Sequence, residues 1–186
     1  MNAYEQANRD RLARLIAALP RCAAPHGWRH QGTLAVGGLA EIGFSRASDL
    51  LLVVSSSGRS VIDCASGQKI ARDDEDGGDW YRPLMLTCEG IGPLAGETIG
   101  IAGLHGGGLP TSNRFGESLT CVALAWPKSD VIFCAPGASP LVDGHQAGCD
   151  NIGPHDDIRA CGFSWTGNTL VIATSADVAI FTRAPA

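Results

Sequence analysis

Eight side chains able to hold a metal ion or move a proton fall within 19 residues: Asp143, His145, Cys149, Asp150, His155, Asp156, Asp157 and Cys161. Zinc takes four ligands at the corners of a tetrahedron, and imidazole nitrogen and thiolate sulfur are among its preferred donors. His145, Cys149, His155 and Cys161 supply two of each if the loop folds back on itself, so they form the candidate metal set and zinc is the candidate cofactor. The spacings between them, four, six and six, match no recognised zinc knuckle. Because Cys161 also stands just before a strand corner at Phe163, a buried thiol beside a polar loop is the competing reading.

The acidic side chains are more concentrated elsewhere. The run Asp73-Asp74-Glu75-Asp76-Gly77-Gly78-Asp79 puts five carboxylates into seven residues, and Trp80-Tyr81 follows at once. Such a run is read either as a solvated loop or as an electrostatic handle for a basic partner, with the two aromatics as anchors. It lacks the alternating oxygen ligands and terminal Glu of a helix-loop-helix calcium site. His105-Gly106-Gly107-Gly108 resembles the oxyanion-hole element of lipases and esterases, but that chemistry requires a nucleophile on a sharp strand-to-helix turn within Gly-x-Ser-x-Gly,. The nearest approximation, Gly43-Phe44-Ser45-Arg46-Ala47, puts its serine where a hydroxyl would bond the backbone of a turn,. No catalytic residue is therefore assigned, and the glycines read as a rim loop that runs on to Arg114 and Phe115. A last cluster, His26, Trp28, Arg29 and His30, reads as a linker that packs Trp28 on the core.

These residues need a scaffold, and composition says which kind. The 186 residues are 45% hydrophobic and 18% charged, enough for one compact core,. Twenty-four glycines and ten prolines punctuate short Val/Ile/Leu runs, a pattern of many tight turns between strands,. Only the N-terminus differs. From Ala3 to Leu19 there is no Gly or Pro, Leu12, Leu15, Ile16 and Leu19 share one helical face, and Pro20 ends the segment,. This predicts one amphipathic helix over residues 1–20 packed on a single β domain over 21–186. Its longest apolar run, Leu15 to Leu19, is too short for a signal peptide or a membrane span,.

The chain also repeats itself. GFSRASDLLLVVSSSGRSVIDC from Gly43 returns as GFSWTGNTLVIATSADVAIFTR from Gly162, each a Phe-Ser corner, a polar turn, an apolar strand, a Ser/Thr turn and a second strand. Weaker copies follow Met85 and Ser118, which places turns near residues 47, 93, 128 and 166. Their spacings of 46, 35 and 38 scatter around the length of one four-stranded propeller blade,. In these segments the chain resembles a WD-repeat-like β-propeller, over about Thr33 to Arg183, with Gly153-Pro154-His155 and either Ile62-Asp63 or Phe181-Thr182 as degenerate signature pairs. The resemblance implies an all-β, propeller-like stack of about four antiparallel blades, with a β-sandwich as the alternative, and places function on the rim loops. Those loops are Asp73 to Arg82, His105 to Phe115 and Val142 to Asp157.

Charge and cysteines narrow the partners. Fourteen basic and nineteen acidic residues give a net charge of −5 with no basic cluster, which argues against nucleic acid,. Glu5 and Asp10 on the helix argue against a membrane surface,. Seven cysteines is an odd number, and Cys64, Cys121, Cys134 and Cys161 lie in or beside apolar strand runs, so buried reduced thiols and a cytoplasmic location are expected,. The leading expectation is a non-catalytic protein-interaction module for a basic partner, using Asp73, Asp74, Glu75, Asp76, Asp79, Trp80, Tyr81, His105, Arg114 and Phe115. The small size and acidic balance also resemble immunity proteins of bacterial toxin systems, which implies an inhibitor that occludes a basic toxin. A metal-binding protein or metal-dependent hydrolase built on residues 145–161 is the rival, and an assembly subunit forming a homo-oligomer through the helix is the third reading.

Overall fold

The computed structural model describes residues 2–75 and 78–184. In chain order the elements are α1 (Ala3–Ala17), β1 (Trp28–Ala35), β2 (Leu39–Phe44), β3 (Leu50–Ser55), β4 (Gly58–Asp63), β5 (Gln68–Asp73), β6 (Tyr81–Arg82), β7 (Thr87–Glu89), β8 (Thr98–Gly100), β9 (Ala102–Gly103), β10 (Ser118–Ala125), β11 (Lys128–Cys134), β12 (Cys149–Asp156), β13 (Ile158–Phe163), β14 (Thr169–Thr174) and β15 (Asp177–Arg183). The protein is all-β apart from α1. Its strands form four antiparallel sheets, none of which closes on itself. Each sheet is built from consecutive strands, β2 to β5, β6 to β8, β10 to β12 and β13 to β15. Two strands break the order: β9 adds beside β2, and β1 pairs with β15.

The chain divides into two compact units, Met1–His26 with Phe115–Asp157, and Gly27–Arg114 with Ile158–Ala186. In the larger unit the sheet of β2 to β5 carries apolar residues on both faces, which explains the unbroken run Leu50 to Val54. Successive side chains of a strand point to opposite faces. Leu51 and Val53 therefore join Ile42, Phe44, Val171 and Ile180 in one cluster, while Leu52 and Val54 join Val61, Trp80, Leu94 and Ile99 in another. Full burial of a Leu or Val contributes about 1.5–3 kcal/mol each.

The two Phe-Ser corners have the same construction. Phe44 pairs with Leu51 and Phe163 with Leu170 across their hairpins. The Ser45 amide donates to Leu50 O at 3.0 Å and the Ser164 amide to Thr169 O at 2.9 Å. Each serine hydroxyl, buried, accepts a turn amide, Ala47 at 3.2 Å and Thr169 at 3.2 Å. The glycines before them answer to close approach. A Cβ on Gly43 would lie 2.3 Å from Gly100 O, and one on Gly162 would lie 2.3 Å from Leu109 Cβ. The weaker copies also place adjacent antiparallel strands on either side of residues 93 and 128.

In the smaller unit α1 begins at a capping box, with Asn2 Oδ1 accepting the Glu5 amide and Glu5 Oε2 accepting the Asn2 amide, both at 2.9 Å,. Ile16 on the helix and Leu19 just beyond it are buried against Ile132, Cys134 and Cys149 of the β10 to β12 sheet. Arg9 reaches the Leu124 carbonyl and Arg11 the Leu141 carbonyl at 3.2 Å, which fixes the helix across the sheet. Trp28 is buried in the other unit, 5.8 Å from Phe163 with the Arg183 guanidinium 4.8 Å above its ring, as the linker reading expects.

One cysteine expectation needs correction. Among the described residues no disulfide joins the seven cysteines, and Cys64 and Cys134 are buried, but Cys161 is half-buried and Cys121 is exposed. On β10 Val122 and Leu124 pack on the Ile16 and Leu19 cluster, so Cys121 lies on the opposite phase of the pleat with the exposed Ala123 and Ala125,. The apolar run around Cys121 disguised that pleat. Among the described residues no helix is long and apolar enough to cross a membrane.

Candidate recognition site at the Trp80–Tyr81 rim

Glu41 sits in the middle of β2 and has no solvent exposure at all, although its neighbours Leu39 and Ile42 are core residues. A carboxylate in that position must be hydrogen-bonded to be tolerated. One of its oxygens meets the requirement: Oε1 accepts the His105 amide at 3.0 Å, lies 2.8 Å from His105 Nδ1 and 3.5 Å from the Tyr81 hydroxyl. The Tyr81 hydroxyl is itself 3.0 Å from Nδ1. The tautomer that suits this network carries its proton on Nδ1, donates it to Glu41, and leaves the lone pair on Nε2. Tyr81 then donates to the carboxylate. Burial and the adjacent Glu41 charge push the Tyr81 phenol up to about 12, so it stays a donor at neutral pH.

The backbone makes room for this arrangement. β9 pairs Gly103 with Glu41 and Ala102 with Ile42, and the reversal after Gly103 is closed by an isolated bridge to Gly106, with the Gly103 amide donating to Gly106 O at 2.9 Å. His105 occupies the tip of that reversal. Gly103 has φ of +156°, and a Cβ there would stand 2.1 Å from Ala40 O and 2.7 Å from Glu41 Oε2. Only glycine fits beneath the carboxylate. The His-Gly-Gly-Gly sequence thus serves to set an imidazole on a buried acid, and Ser45 bonds Glu97 at 2.9 Å as part of its corner.

On the solvent side His105 lines a cavity of about 320 Å³ with Trp80, Tyr81, Leu104, Val54 and Glu75. Three residues expected in a partner surface, Trp80, Tyr81 and His105, are therefore brought together, and Glu75 lines the same cavity. The other acidic residues have different positions. Asp73 Oδ2 accepts from Arg59 Nε at 3.1 Å and Nη2 at 2.9 Å, and its Oδ1 accepts the Glu75 amide at 3.0 Å. The Glu75 amide and the Arg59 side chain together hold the Asp73 carboxyl below the ordinary carboxylate value. The same guanidinium lies 4.4 Å above the Trp80 ring and donates to Glu89 O at 2.7 Å, so Asp73 holds a strut under the aromatic pair. Asp74 is paired with Arg72, Asp79 is exposed, and Asp76 lies outside the described residues. Arg114 and Phe115 are exposed where the chain passes from one unit into the other.

The candidate zinc ligands are dispersed by their local structure. His145 is exposed in the turn before β12, Cys149 is buried at the start of that strand, and His155 is half-buried near its end. Cys161 belongs to β13 in the other unit. Cys149 instead meets its cross-strand partner Cys134, sulfur to sulfur 3.6 Å. Burial raises both thiols, Cys149 to about 12. Among the described residues no group of three or more His, Cys, Asp or Glu side chains is placed to hold a metal ion.

Sequence reasoning did not select Glu41. The available signal was a single carboxylate inside the apolar strand Leu39–Phe44, where the pleat offers it no route to water. No protein-family model matches the chain, and no curated protein matches it.

Proposed function

We propose that the protein is a recognition module that holds a basic partner protein against the rim formed by Trp80, Tyr81, Leu104 and His105. The observation that supports this most strongly is the concentration at one cavity of aromatic walls, an exposed carboxylate and an imidazole bonded to a wholly buried one. Aromatic side chains at the edge of a pocket are the usual anchors of protein interfaces, and complementary charge sets the approach of the partner. Leu84 and Met85, between β6 and β7, are strongly exposed and extend the apolar part of the same loop region. The propeller-like stack belongs to this proposal as its scaffold. Apart from β9 beside β2, each sheet is a meander of consecutive strands, and β1 completes the last sheet from the other end of the chain, a layout that suits blades in such rings,. An immunity-type inhibitor would be one form of this function, a reading that stands on composition alone.

The test is capture from the native host's extract on immobilised protein, comparing the wild type with Tyr81→Ala and Asp79→Asn. A basic protein retained by the wild type, released by salt and lost on Tyr81→Ala is the expected result. Retention indifferent to salt and to both substitutions would remove the proposal.

A further inference from the structure

The cavity beside His105 offers acceptors and π faces to a ligand. Its aromatic walls are Trp80 and Tyr81, its apolar walls Val54 and Leu104, and Glu75 stands at its side. The Ser55 hydroxyl is directed to Gly58 O at 3.3 Å. The Tyr81 hydroxyl is turned to Glu41 and His105. With Nδ1–H given to Glu41, the free ring nitrogen Nε2 is an acceptor, on a side chain that is 44% exposed. Behind it, Glu41 brings a negative charge of which the second oxygen, Oε2, is buried with no hydrogen-bond partner among the described residues. The nearby cation Arg59 is already held by Asp73, the Glu89 carbonyl and the Trp80 ring. A carboxylate bonded to one ring nitrogen fixes the proton there and leaves the other nitrogen as the acceptor, and a cation within about 6 Å of an aromatic face is attracted to it.

We propose that this cavity binds the charged end of one alkyl cation, a lysine ammonium or an arginine guanidinium of the partner, with His105 Nε2 as its hydrogen-bond acceptor and Glu41 as the residue that positions the imidazole. This deepens the recognition role proposed for the same rim and rests on it. The cation enters along Val54 and Leu104 with its alkyl chain, places its N–H groups toward Nε2 and the Glu75 carboxylate, and lies against the rings of Trp80 and Tyr81. Glu41 never touches it.

The experiment uses the full chain, labelled with nitrogen-15 and titrated with n-butylammonium, n-butylguanidinium and 1-butanol while the Trp80 indole and His105 imidazole resonances are followed. Saturable shifts with either cation, on the order of millimolar as befits so few atoms, and none with butanol are expected; the tighter of the two identifies the partner's side chain. His105→Ala, at a half-exposed position that leaves the core intact, should weaken cation binding by about tenfold. Glu41→Gln should weaken it similarly and shift the His105 nitrogen pattern away from the Nδ1–H tautomer, a change that a merely structural role for Glu41 would not produce. Butanol binding as tightly as butylammonium, or a cation response unchanged in His105→Ala, would overturn the inference. If the small cations fail while Tyr81→Ala still abolishes partner capture, the cavity assignment falls and the recognition rim stands. If the cations bind but capture ignores Tyr81→Ala, the rim proposal fails and takes the partner's cation with it.

Discussion

Around His105 and across His145 to His155 the chain carries similar side chains, imidazoles with acidic residues close by, yet the first set converges and the second does not. The difference lies in what the backbone does beneath them. At His105 a two-residue strand, β9, pairs with β2 and turns back at once through Gly103 and Gly106, so a residue 64 positions away in sequence, Glu41, lies directly under the imidazole. At the other place His145, Cys149 and His155 are spread along one eight-residue strand and the turn before it, with Cys161 on the next strand, and a strand moves successive side chains about 3.3 Å apart and to opposite faces,. Composition can concentrate donors in either stretch. Only a reversal over a second strand makes them meet.

The largest test of this contrast compares two glycines with positive φ. Gly103→Ala would put a Cβ 2.1 Å from Ala40 O and against Glu41 Oε2, whereas Gly153, on β12 with φ of +112°, has nothing within 4 Å of where its Cβ would be. Gly103→Ala should therefore cost about 2–4 kcal/mol in denaturant unfolding and release the Tyr81 shift, while Gly153→Ala should cost about 1 kcal/mol of backbone strain alone. Equal costs would mean that the site is held by something other than the close fit under β9.

Next in size is the strut. Arg59→Ala removes the pair with Asp73 and the contact with the Trp80 ring, and is expected to lose about 1–2 kcal/mol and loosen the Trp80 indole,. Asp73→Asn separates the charge from the packing. The Asp73 carboxyl is held below its ordinary value by the Glu75 amide and the Arg59 side chain, so its contribution is present at neutral pH and disappears as the pH falls through that lowered value,. The stability gap between wild type and Asp73→Asn should accordingly be open at pH 7 and close in acid. A gap independent of pH would mean that the carboxylate's charge is irrelevant.

How much of this could be read from the sequence follows from the range of the interactions. The Phe-Ser corners and the strand turns depend on residues within about five positions of each other, and both were legible; the capping box at Asn2 and Glu5 is equally local but was not singled out. The acidic run was legible as a run but not as a strut, because Arg59 reaches Asp73 from the neighbouring strand, 14 residues away. Trp80, Tyr81 and His105 could be named from residue type. Their meeting could not, since it requires the register of β9 on β2, and β9 is two residues long with no periodicity to detect. Cys121 was misjudged because a run of small apolar residues hides which phase of the pleat faces the core.

The Tyr81 phenol gives a spectroscopic measure of the same register. Raised to about 12 by burial and by Glu41, it contributes stability that is intact below the ordinary phenol value, about 10, and is lost as the pH climbs through the raised one,. Phenolate absorbance should show this tyrosine ionising near pH 12 in the wild type and earlier in Glu41→Gln. An unchanged midpoint would mean that the carboxylate does not reach the ring.

The smallest effect belongs to the region that does not converge. Attack on a disulfide reagent requires thiolate and access. Cys121 has access on the outer phase of β10, while Cys134 and Cys149 are buried under Ile16 and Leu19 with their thiols raised. Cys121 should therefore react on the order of a hundredfold faster than either of the pair. Ile16→Ala opens the cover without touching the strands, so it should accelerate Cys134 and Cys149 and leave Cys121 as it was. If all three respond alike, the thiols are reached by unfolding of the whole sheet. If only the pair responds, α1 is a cover that lifts by itself, and the cysteines beneath it are core residues of a helix-on-sheet layer to which Ile16 and Leu19 contribute from the helix side.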